Sequence, residues 1–216
     1  MPSSSININT IIFDLGGVIL DLSVNHTLLA FSELSGLDPK KVKDIFISSP
    51  EFNDYEKGAM DDHHFRSFIR KTYVPNATDE QIDHCWNAML RGLPTEKLEL
   101  LTQLKKHFNV YLLSNTNGIH LHYINEQLLK TVTGETNLDV YFHKAYYSHR
   151  MGKRKPDADI FQQVLNENNL IASQTLFLDD NPDNIKGADA LGIQTVYVTT
   201  PDMMTSTSLR LLNGST

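Results

Sequence analysis

The sequence predicts an α/β fold: a parallel sheet covered by helices on both faces, interrupted after its first strand by an inserted bundle of helices. Three observations carry this expectation. Short apolar runs alternate along the chain with segments whose apolar residues recur at helical spacing, the pattern of a sheet buried on both sides. Three of these runs end in polar residues, at Asp14, at Ser114-Asn115 and at Asp179-Asp180. Between Leu20 and Pro94 the strand-like runs vanish and only helical spacing remains.

Taken in order, Ile11-Ile12-Phe13 is a buried strand running into a tight turn at Gly16-Gly17. Four amphipathic stripes follow: Leu28, Leu29 and Phe31; Val42, Ile45 and Phe46; Phe65, Phe68 and Ile69; Ile82, Trp86 and Met89. They predict four helices, with Phe52 to Gly58 as a connecting segment that mixes an aromatic with hydrogen-bonding groups. Leu98, Leu101, Leu104 and Phe108 share a helix face ahead of the second strand, Val110 to Leu113. Ala145-Tyr146-Tyr147 is a third strand. Ile160, Phe161, Val164 and Leu165 mark a helix before the fourth, Leu176 to Leu178. The stripe Ile185, Ala188, Leu191 ends at Gly192, a glycine suited to a helix C-terminus, and Thr195 to Val198 is the fifth strand. The reading is a Rossmann-like core over residues 1–20 and 95–216 with a helical cap over residues 21–94. In such sheets ligands sit outside the carboxyl ends of the strands, where the three polar endings converge.

Composition narrows the function. A net charge of −7 gives no electrostatic reason to expect nucleic acid or an anionic membrane as a partner. Any phosphate site must therefore gather its own positive charge. One cysteine, Cys85, excludes an intramolecular disulfide framework and, beside Trp86 in an apolar stripe, reads as a buried structural thiol. The polar start has no cationic leader, and Asp14 breaks the apolar run after it, so the expected location is the cytoplasm. His63-His64 and His120 with His122 are spaced badly for chelation from one helix face and read as surface or cap-packing residues. No P-loop, no dinucleotide fingerprint and no nucleophile-elbow serine is present.

Asp14-Leu15-Gly16-Gly17-Val18, Leu113-Ser114-Asn115, Lys155-Pro156 and Asp179-Asp180 with Asn184 fall in order along the chain. Together they resemble the haloacid dehalogenase superfamily, and within it the phosphatases with a helical cap after the first strand, including those acting on glucose 1-phosphate. A carboxylate held at a strand end by a glycine turn can attack phosphorus and split hydrolysis into two steps. Because two anions must meet, a hard cation such as Mg²⁺ is needed. The resemblance implies Asp14 as nucleophile, with Asp14, the carbonyl of Gly16 and Asp180 as metal ligands. Asp179 is a further ligand or an outer partner. Lys155 would neutralise charge on Asp14 and the phosphoryl group, while Ser114 and the N–H of Asn115 would hold phosphate oxygens. Asp183 reads as an exposed acid at a helix start. The expected partner is a small phosphorylated metabolite, with Asn117 and His120 near the same mouth.

The sequence departs from the family pattern at one place. Most phosphatases of the superfamily carry a second aspartate two residues after the nucleophile to protonate the leaving oxygen, and here that position is Gly16. Loss of a positioned acid forfeits about 10²–10⁴ in rate. Three consequences stay open: substrates that leave without much protonation, a cap residue or water in the acid's place, or a weak catalyst serving as a phosphate-binding or interaction domain.

Overall fold

The computed structural model describes residues 8–214; residues 1–7 and 215–216, and with them most of the polar start discussed above, lie outside the described residues. Five parallel strands form one sheet in the order β5-β4-β1-β6-β7: β1 (Thr10–Phe13), β4 (Asn109–Ser114), β5 (Lys144–Tyr147), β6 (Thr175–Asp179) and β7 (Gln194–Tyr197). The three central strands, β1, β4 and β6, read as apolar runs because both their faces are covered. Ile11 and Phe13 pack into one buried cluster, while Ile12, between them, packs into the other with Phe161 and Phe177. Phe13 is level with Leu112 on β4 and Leu178 on β6. The next residues along, Asp14, Leu113 and Asp179, therefore share one edge of the sheet.

The helical insertion is more elaborate than the four stripes suggest. Five helices, α1 (Val24–Ser35), α2 (Pro39–Ser48), α3 (Glu51–Glu56), α4 (Asp62–Thr72) and α5 (Asp79–Asn87), lie between two short strands, β2 (Asp21–Leu22) and β3 (Leu90–Gly92). These two pair antiparallel as a stem where the chain leaves and re-enters the core. Strands of two and three residues carry too little alternation to be read from sequence. The segment expected as a connection, Phe52 to Gly58, forms α3 instead. Its Phe52 and Tyr55, three residues apart, turn one face into the apolar interior of the bundle. There Phe52 stacks on Trp86 at 5.5 Å and Tyr55 stacks on Phe65 at 4.0 Å.

The remaining helices belong to the core: α6 (Thr95–Leu104), α7 (Gly118–Tyr123), continued through a π-helical run into α8 (Lys130–Thr133), α9 (Ser148–Met151), α10 (Ala158–Glu167), α11 (Pro182–Asp189) and α12 (Asp202–Gly214). Among the described residues no helix is long and apolar enough to cross a membrane.

Candidate active site

Asp14 follows β1 directly, and its backbone N–H donates to the carbonyl of Leu178 at 2.9 Å, which ties the start of the turn to β6. Lys155, on the loop before α10, is 1 % exposed and donates from Nζ to Asp14 Oδ1 at 2.6 Å and to Asp179 Oδ2 at 2.7 Å. A cation this deep is tolerable only with such partners. Burial works against its charge, but Asp14 and Asp179 outweigh burial and hold its pKa above the ordinary lysine range.

Asp179 has its acceptor capacity spoken for. Its Oδ1 accepts from the N–H of Asn181 at 2.8 Å, and Asn184 Nδ2 lies 3.0 Å from both of its oxygens. It anchors Lys155 and the start of α11. Asp14 is different. Burial, with Asp179 and Asp180 adding to it against the pull of Lys155, pushes the Asp14 carboxyl up to about 7. Burial also raises Asp180, helped by Asp179. Asp14, Asp179 and Asp180 each present an oxygen within 4.8 Å of the others. Three carboxylates with one lysine for compensation form the hard-oxygen donor set that suits a divalent cation such as Mg²⁺.

The turn after Asp14 explains the paired glycines. Gly17 has φ +74°, and its N–H donates to the carbonyl of Leu20 at 2.8 Å. A Cβ on Gly17 would lie 2.6 Å from Asp180 Cγ, so the backbone must pass bare beneath that carboxylate. Lys97 on α6, 4 % exposed, supports the turn from below by donating from Nζ to the carbonyl of Val18 at 2.8 Å. Sequence reasoning passed over Lys97. The signal was a lysine on the stripe it shares with Leu101 and Leu104, at i, i+4 and i+7, where a charge is out of place.

Ser114 ends β4 and is buried, with its Oγ in a long 3.5 Å contact to the carbonyl of Asn115. The side chain of Asn115 has a role that sequence reasoning did not assign. It donates from Nδ2 to the carbonyl of Lys155 at 2.9 Å and accepts from the N–H of Lys155 at 2.9 Å. That reciprocal pair ties the end of β4 to the lysine's own backbone. The insertion meets the core at the same loop. Arg154 Nε and Nη2 donate to Glu56 Oε2 at 3.1 and 2.8 Å, and Ser148 Oγ donates to the carbonyl of Glu56 at 2.6 Å. Between insertion and core lies a cavity of about 170 Å³, lined on the core side by Gly16, Ser114 and Asn115 and on the insertion side by Phe46, Glu56 and Trp86.

The histidines divide. His120 is buried and stacks on Trp86 at 4.7 Å, a packing residue at the cavity wall as expected, with Asn117 capping α7 beneath it. His63 and His64, expected to diverge, come with Asp61 to within 4.8 Å at an exposed helix start, where His64 Nδ1 lies 2.8 Å from Asp61 Oδ1. Asp183 is exposed in the first turn of α11, as expected.

A parallel α/β sheet with a helical insertion and an acidic cluster bridged by a buried lysine at its strand ends fits a class of hydrolase. The chain belongs to the haloacid dehalogenase-like hydrolases, whose family model matches residues 8–192. It is 30% identical over 188 residues to a D-ribitol-5-phosphate phosphatase of Bacteroides thetaiotaomicron, covering 87% of this chain and 90% of that protein. Among solved structures it resembles a family enzyme from Bacteroides thetaiotaomicron in complex with magnesium and inorganic phosphate: TM-score 0.79, 33% identity, 88% of this chain and 93% of that one. It also resembles a family hydrolase from Porphyromonas gingivalis, with a TM-score of 0.84 at 29% identity over 95% of this chain and 98% of that one.

Proposed function

We propose that this chain is a Mg²⁺-dependent phosphohydrolase of small phosphorylated metabolites, sugar phosphates such as glucose 1-phosphate among them, working through an aspartyl-phosphate on Asp14. One observation carries the reading. The Lys155 ammonium is buried between Asp14 and Asp179, with Asp180 beside them, an arrangement that supports reading Asp14 as nucleophile, Lys155 as its counter-charge and the carboxylates as metal donors.

In this reading Asp14, the carbonyl of Gly16 and Asp180 hold Mg²⁺, with Asp179 as the outer partner that fixes Lys155. Bound Mg²⁺ supplies the charge that lets an anionic phosphate meet a carboxylate. Lys155, bonded to Asp14 Oδ1, neutralises charge on that carboxylate and on the phosphoryl group in transit. Ser114 Oγ and the Asn115 N–H hold phosphate oxygens, and residues 21–94 serve as a cap that excludes water. The named relatives support a small phosphorylated substrate and a magnesium site. Aromatic faces at Phe46 and Trp86, with Glu56 and Thr116 for hydroxyls, suit a sugar or polyol. The negative net charge argues against nucleic acid or membrane partners, and the buried Cys85 suits the cytoplasm.

Gly16 favours a second reading, a weak catalyst that binds phosphate compounds. A Mg²⁺-dependent assay separates the two. Turnover of an aryl phosphate and of glucose 1-phosphate supports the enzyme, whereas binding without Mg²⁺-dependent turnover of either supports the alternative. Within a sugar panel, 1-phosphates are expected to be cleaved faster than the matching 6-phosphates, because a hemiacetal oxygen leaves more readily than an ordinary alcohol. Equal or reversed rates would remove glucose 1-phosphate as the model substrate.

Two further outcomes concern the metal. Protons and Mg²⁺ compete for Asp14, whose carboxyl stands near 7 without metal. Below that value it is protonated and above it free, so Mg²⁺ half-saturation should weaken about tenfold between pH 8 and pH 6. A half-saturation flat with pH would contradict the assignment. Gly17→Ala puts a Cβ under Asp180 in a left-handed backbone, and should raise the Mg²⁺ requirement about 10- to 100-fold. An unchanged activation curve in a folded variant would take Asp180 out of the metal site.

A further inference from the structure

Position 16 carries no side chain, and the room a side chain would use is filled from the insertion. A Cβ on Gly16 would lie 3.1 Å from Leu22 Cδ2 and 3.8 Å from Leu22 Cδ1 and Cγ. Leu22 is held there by β2, whose pairing sets it opposite Leu90 on β3. Leu20, Leu22, Met89 and Leu90 all line the adjoining cavity, so this wall is apolar.

Two other lining residues have the chemistry of a proton donor, and both are committed elsewhere. The carbonyl of Trp86 lies 3.1 Å from His120 Nε2, and a carbonyl only accepts, so Nε2 carries the ring's hydrogen and spends it there. Nδ1 is then the acceptor for Asn117 Nδ2 at 3.2 Å. Burial pushes the His120 ring down to about 4, so it stays neutral and has no second hydrogen to give. Glu56 is held by Arg154, whose Nε and Nη2 both donate to Oε2, so the side chain is pinned in an ion pair to the loop that carries Lys155. The amide of Asn115 is taken in both directions by the backbone of Lys155. The hydroxyls of Ser114 and Thr116 are alcohols, no more acidic than the groups they would have to protonate.

We propose that the leaving oxygen departs without a protein acid, and that Leu22, by filling the acid's place, confines the enzyme to phosphate esters of acidic hydroxyls: anomeric, enolic and aryl. This rests on the phosphatase reading and names its substrate class. An Asp14 oxygen forms its bond to phosphorus as the bond from phosphorus to the leaving oxygen breaks. The electron pair of the broken bond goes with that oxygen, which takes its proton from solvent water. A poorly acidic alcohol must leave as a strong base, and nothing on the apolar wall offsets that cost.

The test measures kcat/KM with Mg²⁺ across substituted phenyl phosphates and, at the far end, a primary alkyl ester, D-ribitol 5-phosphate. The expected result is a steep fall with leaving-group basicity, about 10²–10⁴-fold beyond that of an acid-assisted enzyme at the alkyl end. Leu22→Glu, at a residue 38% exposed, brings a carboxyl to the same place and should selectively raise turnover of the alkyl ester; Gly16→Asp with Leu22→Ala should do the same. A natural chain that cleaves aryl and alkyl esters at similar rates overturns the proposal while leaving the phosphatase reading intact. Folded variants of both designs with an unchanged slope remove Leu22 from the account. No Mg²⁺-dependent turnover of any ester, including the most activated, overturns the phosphatase reading and this inference with it.

Discussion

Asp14→Asn is expected to reduce Mg²⁺-dependent phosphatase turnover by at least about 10⁴-fold, the scale on which removal of a nucleophile acts. The substitution is close to isosteric, and an amide oxygen can still accept from Lys155 Nζ, now 2.6 Å from Asp14 Oδ1. The fold should therefore survive. It also relieves a strained balance, since Asp14 is the buried carboxylate whose charge burial and its two acidic neighbours oppose. Steady-state kinetics beside a thermal melt give the check. Activity lost with the melt preserved matches a nucleophile, whereas residual activity within tenfold of the natural chain would move the attack elsewhere.

Lys155→Met is the second large effect, and it acts on both stability and rate. Lys155 is 1 % exposed and holds two carboxylates, so its removal leaves Asp14 and Asp179 facing each other without a cation. Breaking a buried ion pair in this way costs about 3–5 kcal/mol. Asp179 keeps Asn181 and Asn184, which limits the damage at α11. Turnover should fall about 10²–10³-fold from loss of a preorganised positive charge at the phosphoryl group. Lys155→Arg should not restore it. A guanidinium is larger and planar, and the lysine's pocket is closed around a compact ammonium that also lies 5.3 Å over the Phe177 ring. Chemical denaturation and kcat, measured together, test this. A Lys155→Met protein as stable as the natural chain would mean that the pair contributes nothing to folding.

The core strands were legible because each is a short apolar run, three of them with polar endings, and a parallel sheet between helices leaves little else for such a run to be. That Asp14, Asp179 and Asp180 share one sheet edge followed from the strand-end rule, whereas Lys155 was placed with them only by the family resemblance. What sequence hid was of two kinds. The stem strands at Asp21–Leu22 and Leu90–Gly92 are too short to show a period, so the residue that fills the space beside Gly16 went unnoticed. Contacts distant in sequence were hidden as well. Glu56 meets Arg154 across 98 positions and Lys97 reaches Val18 across 79, separations that no local pattern records. Asn115 was read for its backbone N–H, while its side chain turns out to grip Lys155 from 40 positions away. Helix α3 was missed because its two buried aromatics, Phe52 and Tyr55, are too few to make a stripe.

The covalent step is the claim to test most directly. Turnover with Mg²⁺ and a fast aryl phosphate, quenched and reduced with borohydride, converts an aspartyl-phosphate to homoserine that peptide mass spectrometry can locate. Homoserine at position 14, absent from Asp14→Asn, is the result expected. Active enzyme with no reduction at Asp14, or with reduction at Asp179 or Asp180 in its place, would contradict the mechanism.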